Sequence, residues 1–169
     1  MKELFSKRSV RAFQPTAIEP DKIEIILKAA MCAPTTGSQN EREFIVVTEK
    51  ELLKKLADVS PYTACVADAP LAIVLLANFD KVEFPELWEQ EMAAATEKIL
   101  LECVHLDMSG TWLGISPVAE RMENVCKIFS LPENIVPFAI TAIGYPLQKT
   151  SMDRDFDFSI VHYNEFKKA

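Results

Sequence analysis

Apolar and polar positions along the chain change period several times, and each change marks an element. In "EPDKIEIILKAAMCAP" (Glu19 to Pro34), Ile23, Ile26, Leu27, Ala30 and Met31 recur at i, i+3, i+4, i+7 and i+8, the stripe of an amphipathic helix. Pro20 and Asp21 suit its start and Pro34 its end. "EFIVVT" (Glu43 to Thr48) is short, β-branched and apolar, which predicts a buried strand. "EKELLKKLADV" sets Leu52, Leu53, Leu56 and Val59 on one side of a second helix. "APLAIVLLA" (Ala69 to Ala77) predicts a second buried strand; it falls well short of the ~20 residues that cross a bilayer.

The second half follows the same logic. A long helix is expected from about Pro85 to Met108, with Trp88, Met92, Ala95, Ile99, Cys103 and Leu106 apolar and the small Ala93, Ala94 and Ala95 permitting close contact. After "SGTWLGI", Ser116-Pro117 reads as an N-cap followed by Pro at the first helical position, opening a helix to about Phe129. "PFAITAIGYP" (Pro137 to Pro146) is the last core strand, stopped by Gly144 and Pro146. From Lys149 the chain loses periodicity yet carries Phe156, Phe158, Ile160, Val161, Tyr163 and Phe166, the composition of a segment that docks on something. The order is helix, strand, helix, strand, long helix, helix, strand, tail. It predicts an α+β or α/β sandwich whose long helix packs on the sheet and on a second subunit.

Composition narrows the class. A chain of 169 residues, 49% hydrophobic and 25% charged, suits one soluble domain. With 18 Lys and Arg against 25 Asp and Glu, the net charge of -7 argues against nucleic acid as a partner. Charges interrupt the N-terminus at once, so no signal-peptide core is expected. Cys32, Cys65, Cys103 and Cys126 lie far apart, form no C-x-x-C pair and have only two histidines for company, so no zinc site is expected. Three of them sit in helix-like or strand-flanking apolar contexts and read as core thiols of a cytoplasmic protein.

One segment runs against the acidic balance. The first eleven residues hold Lys2, Lys7, Arg8 and Arg11 against Glu3 alone, with Ser9 inside the cluster. Arginine offers a fork of donors and Ser a neutral one, which suits an anion and a phosphate best; a solvated basic start that touches nothing is the alternative. "APTTGSQN" (Ala33 to Asn40) is a small polar loop that can present N–H groups and amides to a polar ligand, or simply turn the chain. "SGTWLGISP" sets two glycines around an aromatic at what reads as a helix-to-helix junction, where backbone can approach a ligand closely. "AIGYP" ends a core strand with Lys149 and Arg154 soon after.

In this order and spacing the four stretches resemble the nitroreductase family of FMN-dependent oxidoreductases. Members open with a segment like Arg-Arg-Ser-x-Arg-x-Phe, here Lys7 to Phe13. A helix ends in Ala-Pro-Ser/Thr and leads to Phe-Ile-Val-Val, here Ala33 to Thr36 and Phe44 to Val47. A Gly-containing turn with Trp follows the long helix, here Gly110 to Gly114, and Gly-Tyr-Pro closes the set at Gly144 to Pro146. The resemblance implies an α-β-α sandwich with a mainly antiparallel sheet, a long central helix at a dimer interface, and residues 1–169 as one domain with 150–169 docking on the partner subunit. It implies FMN bound between subunits. Lys7, Arg8, Ser9 and Arg11 would hold the phosphate and nearby oxygens, with Lys149 and Arg154 arriving from the other end. Pro34, Thr35, Thr36 and Ser38 would line the ring and ribityl chain, with Asn40 in an amide role, and Leu113, Gly114 and Ile115 would present backbone N–H groups near the flavin N5.

It implies chemistry on the flavin, with no catalytic side chain and no metal. NADH or NADPH would donate, and a nitroaromatic, quinone or similar electron-poor small molecule would accept. Phe79, Phe84 and Trp88 read equally as plain core or as the covering aromatics of a short lid; such a lid would leave one flavin face open and give ping-pong kinetics. The departures are "SQNERE" (Ser38 to Glu43), where members carry Asn and then Gln-Pro-Trp; Asp107-Met108-Ser109-Gly110, where they carry Gly-Leu-Gly; and Lys98, where an Asn is frequent. A flavin-binding protein of the same fold serving storage, delivery or sensing, and a helical interaction module without cofactor, are the other readings. His105 and His162 read as structural.

Overall fold

The computed structural model describes residues 3–148 and 155–166. Among them are five helices, α1 (Glu3–Ser6), α2 (Pro20–Met31), α3 (Lys50–Ala57), α4 (Trp88–His105) and α5 (Ala119–Phe129), and four strands, β1 (Arg42–Val47), β2 (Leu71–Asn78), β3 (Ser109–Gly114) and β4 (Ile135–Gly144). The strands make one sheet in the order β1-β2-β4-β3, antiparallel throughout.

Both faces of the sheet are covered. On β2 the odd positions Leu71, Ile73, Leu75 and Ala77 face one cluster with Ile26 and Ala30 of α2 and Met92, Ala95, Ile99 and Cys103 of α4. The even positions Ala72, Val74 and Leu76 face the other, with Leu53 and Leu56 of α3 and Val125 of α5. A strand buried on both faces cannot alternate apolar with polar, which is why "APLAIVLLA" is a continuous apolar run. The result is the α-β-α sandwich that the resemblance implies. No helix among the described residues is long and apolar enough to cross a membrane.

Two expected elements differ. "SGTWLG" is not a turn between helices but the fourth strand, paired with β4 from Ser109↔Gly144 to Gly114↔Ala139. Two glycines in six residues argue against a strand locally; tertiary contact overrides them, because Gly110 sits where a Cβ would stand 2.9 Å from the Ala142 carbonyl oxygen and 3.1 Å from Leu100 Cδ2. The Ser116-Pro117 cap is likewise displaced. The helix starts at Ala119 with Val118 before it, and Ser116 Oγ donates instead to Glu89 Oε1 of α4 at 2.6 Å. The long helix is three residues shorter at each end than expected, running Trp88–His105.

The two glycines of β3 differ in what surrounds them. Around Gly114 no atom stands within 4 Å of an added Cβ. Gly110→Ala is therefore expected to lower the unfolding free energy by about 1–3 kcal/mol through overpacking. Gly114→Ala should stay within about 0.5 kcal/mol of wild type. Urea denaturation of the two variants side by side checks the contrast; equal losses would contradict this packing of β3.

Candidate functional site

The basic segment leaves α1 and is pinned across the ends of two strands. Val10 N–H donates to the Gly110 carbonyl at 3.2 Å, Gln14 N–H to that of Tyr145 at 2.8 Å, and Leu147 N–H to that of Ala12 at 3.0 Å. Phe13 is buried against Gly144, where an added Cβ would stand 2.9 Å from the ring. This anchoring fixes the direction of the charged side chains between. Lys7 Nζ lies 3.9 Å from Glu97 Oε2 of α4, and Arg8 Nη1 donates to the carbonyls of Phe5 and Lys7 at 3.0 and 2.9 Å. Ser9 and Arg11 are exposed. Among the described residues neither side chain has a hydrogen-bond or ion-pair partner. Arg11 does face Cys65: burial pushes that thiol's pKa up, and the Arg11 charge pulls against it. Lys149 and Arg154 lie outside the described residues, although the chain reaches Leu147 directly beside Ala12.

The polar loop follows α2. Lys98 of α4 holds its start by donating to the Cys32 carbonyl at 2.5 Å. A single 3-10 turn spans Thr36–Ser38, with Gly37 at φ +58° and the Phe84 ring so close that an added Cβ would meet it at 2.8 Å. Ser38 and Asn40 also take left-handed backbone, φ 60° and 50°, and the Asn40 amide donates to the Ser38 carbonyl at 2.8 Å. Asn40 is exposed and Gln39 is the buried amide. Gln39 Oε1 accepts from the N–H groups of Glu83 and Phe84 at 2.9 and 3.1 Å, while its Nε2 donates to Glu91 Oε2 at 2.9 Å. Glu91 Oε1 accepts from Thr36 N–H at 2.7 Å. A cavity of about 280 Å³ opens here between Pro34, Thr35 and Thr36 on one side and Leu87, Glu91 and Ala94 on the other.

Glu91 and Glu41 are the acids of this wall. Glu41 is wholly buried, and neither carboxyl oxygen has a hydrogen-bond donor facing it. Burial pushes its pKa up; its own backbone N–H pulls against that, and the nearby Glu91 charge adds to the rise. Burial acts on Glu91 as well, but the bonds from Thr36 and Gln39 outweigh it and hold its pKa below the ordinary carboxylate range. Sequence reasoning missed Gln39, Glu41 and Glu91 as a group. One signal was available: Glu91 falls three residues after Trp88 and four before Ala95, inside the apolar stripe of α4, where an acid needs a partner.

The third stretch ends β3. Leu113 and Ile115 are buried and Gly114 is exposed beside open space. The N–H groups of Ile115 and Ser116 both donate to the Phe138 carbonyl, at 3.1 and 2.9 Å. Gly114 is thus the member of the trio at which an outside group can approach the backbone. Of the expected covering aromatics, Phe84 packs on Gly37, and Phe79 and Trp88 stack edge to face at 5.4 Å, continuing through Phe138 at 5.8 Å. His105 is exposed on the single chain, with Nδ1 3.4 Å from Glu3 Oε1; His162 lies against the Phe166 ring at 4.4 Å. Cys103 is buried, Cys65 and Cys126 are half-buried, and Cys32 is exposed.

One helix therefore backs all three stretches. Lys7 meets α4 at Glu97, the loop meets it at Glu91, and the end of β3 meets it at Glu89 through Ser116. Among the described residues no hydrogen bond or ion pair joins the basic segment to the 34–38 loop.

Comparison with known proteins gives one answer. The model of the nitroreductase family matches residues 4–60. A Methanothermobacter thermautotrophicus protein with the provisional name NADH dehydrogenase/NAD(P)H nitroreductase is 34% identical over 161 residues, covering 95% of this chain and 84% of that protein. The crystal structure of a provisionally named NADH oxidase from Clostridium acetobutylicum superposes with a TM-score of 0.95 at 41% identity, over 97% of this chain and 99% of that one. An FMN-dependent nitroreductase from Clostridium difficile gives 0.90 at 27% identity, over 98% and 99%. Sequence and fold, matched over nearly the full length of both partners, place this chain in the nitroreductase family.

Proposed function

We propose that the protein is an FMN-dependent oxidoreductase that takes a hydride from NADH or NADPH and reduces nitroaromatic, quinone or similar electron-poor acceptors. The observation that carries this reading is the exposed Ser9 and Arg11, pinned by backbone bonds at Val10 and Ala12 and lacking any partner among the described residues. A guanidinium projecting from anchored backbone, with no ion-pair partner among the described residues, suits a phosphate. The open space at Gly114 suits the close approach of a flat ring to backbone. FMN supplies the redox chemistry when bound. The chain's own part is to hold the phosphate at Lys7, Arg8, Ser9 and Arg11, to line the ring with Pro34, Thr35, Thr36 and Ser38, and to exclude water with Phe79, Phe84 and Trp88. Lys149 and Arg154 extend the phosphate site.

Among the described residues no hydrogen bond or ion pair joins the basic segment to the loop, which favours a site completed by a second copy. The tail supports the same assembly. Phe158, Ile160, Tyr163 and Phe166 are 74–78% exposed, a concentration of bare apolar surface that marks an interaction site. In this reading residues 150–169 cover the partner subunit of a homodimer.

Arg11→Ala, and separately Arg8→Ala, is expected to raise the FMN dissociation constant roughly 10–100-fold, the equivalent of losing one charge-assisted bond. Riboflavin, which lacks the phosphate, should bind far more weakly than FMN; equal affinity would refute the phosphate site. Anaerobic addition of NADH or NADPH to the yellow protein should bleach it, whereas a storage or sensing protein would keep its colour.

A chain ending at Thr150 should lose dimer and flavin together in sedimentation; a flavin-loaded dimer would remove the tail from the assembly. With one open ring face, donor and acceptor occupy the same space in turn, so double-reciprocal plots at several fixed acceptor concentrations should run parallel. Intersecting lines would mean that both bind at once.

A further inference from the structure

The wall between the 34–39 loop and α4 holds two carboxyl groups to which the proposed chemistry gives no task. Both Glu91 oxygens accept an N–H, one from Thr36 and one from Gln39. Glu41 is wholly buried at the start of the adjoining strand with no donor on either oxygen, and its carboxyl lies within hydrogen-bonding reach of Glu91. Two ionised carboxylates cannot share a dry site, and an unpaired buried charge is relieved by taking up a proton. A neutral carboxyl gains an O–H donor, and the acceptor in reach is Glu91. The asymmetry of the surroundings decides where the proton sits. Glu91 accepts two formed N–H bonds in its charged form, whereas Glu41 has only its own backbone N–H nearby, which forms no hydrogen bond to either carboxyl oxygen. The charged groups facing Glu41 are Glu91 from α4 and Arg42, the next residue of β1, whose guanidinium reaches the Pro34 carbonyl at 3.4 Å. The 83–84 segment packed on the same wall directs its backbone N–H groups to Gln39.

We propose that Glu41 and Glu91 share one proton and act as a positioning pair: the Glu41 O–H holds Glu91 in place, Glu91 holds Thr36 and Gln39, and the 34–39 loop is thereby fixed in the form that lines the flavin. The inference rests on the assignment of that loop to the FMN site. Its consequence is a proton-linked affinity. Glu41 keeps its proton in the folded chain at a pH where the unfolded chain has released it. Stability from this group is therefore complete below the ordinary carboxylate range and is lost as pH rises toward the titration of the pair. Above that titration two buried negative charges face each other and the loop loses its anchor.

Two variants and two measurements test it. Glu41→Gln keeps a donor, since an amide N–H replaces the O–H, but cannot titrate; Glu41→Leu cannot donate at all. Urea unfolding of the apo-proteins and FMN binding by flavin fluorescence are followed from below the ordinary carboxylate range, about pH 4, up to about pH 9, and the expected change is at most about tenfold per pH unit for one proton. The wild-type folding constant should fall with pH relative to that of Glu41→Gln, and the wild-type FMN dissociation constant should rise relative to that of Glu41→Gln, which carries the phosphate's own titration. Glu41→Gln should match wild type at the low end, and Glu41→Leu should bind roughly tenfold more weakly throughout, as for one lost hydrogen bond to a charged group. Parallel stability profiles for wild type and Glu41→Gln overturn the shared proton. Different stability profiles with parallel FMN profiles overturn the positioning role. A wild-type protein that binds no FMN at any pH refutes the proposed function and the positioning role with it, while the apo-protein profiles still decide the proton.

Discussion

An acid on the inner side of a packed helix must find donors before the helix can seat, and Glu91 sets that condition for this fold. It is 6% exposed and lies one position before Met92, which is fully buried against the sheet. An ionised carboxylate at that depth would cost several kcal/mol if left unpaired. The donors come from the loop after α2, and charge-assisted bonds of this kind contribute about 1.5–3 kcal/mol each. The same bonds that permit α4 to pack thus fix a polar loop that has little core of its own. Packing and site geometry are in this respect one problem, solved by Thr36 and Gln39.

The loop illustrates how backbone and side chain share the work. Gly37, Ser38 and Asn40 all take positive φ, a conformation that only glycine adopts without cost. Asn40 offsets part of that cost by bonding the Ser38 carbonyl, and the Phe84 ring closes over Gly37, where any side chain would collide. A loop turned this sharply exposes N–H groups in several directions. Gln39 takes up two from the 83–84 segment, so the loop and the entry to α4 move as one body.

What could be read in the sequence follows from the range of the forces involved. β2 was legible because both of its faces are buried and the run is apolar at every position. α2 and α3 were legible because their apolar stripes recur at helical spacing. β3 was not, because Gly110 and Gly114 depress strand propensity locally and the reason for Gly110 lies in Ala142 and Leu100, distant in sequence. Ser116-Pro117 carries the chemistry of a helix start, yet the competing acceptor Glu89 on α4 claims the Ser hydroxyl. The site divides along the same line. The basic cluster and the polar loop stood out as compositional anomalies. The pairing of Glu41 with Glu91 spans fifty residues and shows in the sequence only as an acid in an apolar stripe.

The charge distribution gives the basic segment its meaning. Over the whole chain the net charge is -7, which repels an anionic ligand at long range. At physiological ionic strength that field is screened within roughly 8 Å, so the balance at the binding point depends on the nearest charges. There the sheet ends hold Val10 and Phe13 in place, and Arg11 stands out between them without a counter-charge among the described residues. Anchoring on either side fixes the backbone from which Arg11 projects, away from the acids of this acid-rich chain that pair with other bases. In the proposed reading the strand ends keep a positive site on a negative protein, and the packing of Phe13 on Gly144 is part of how an anion would be recognised.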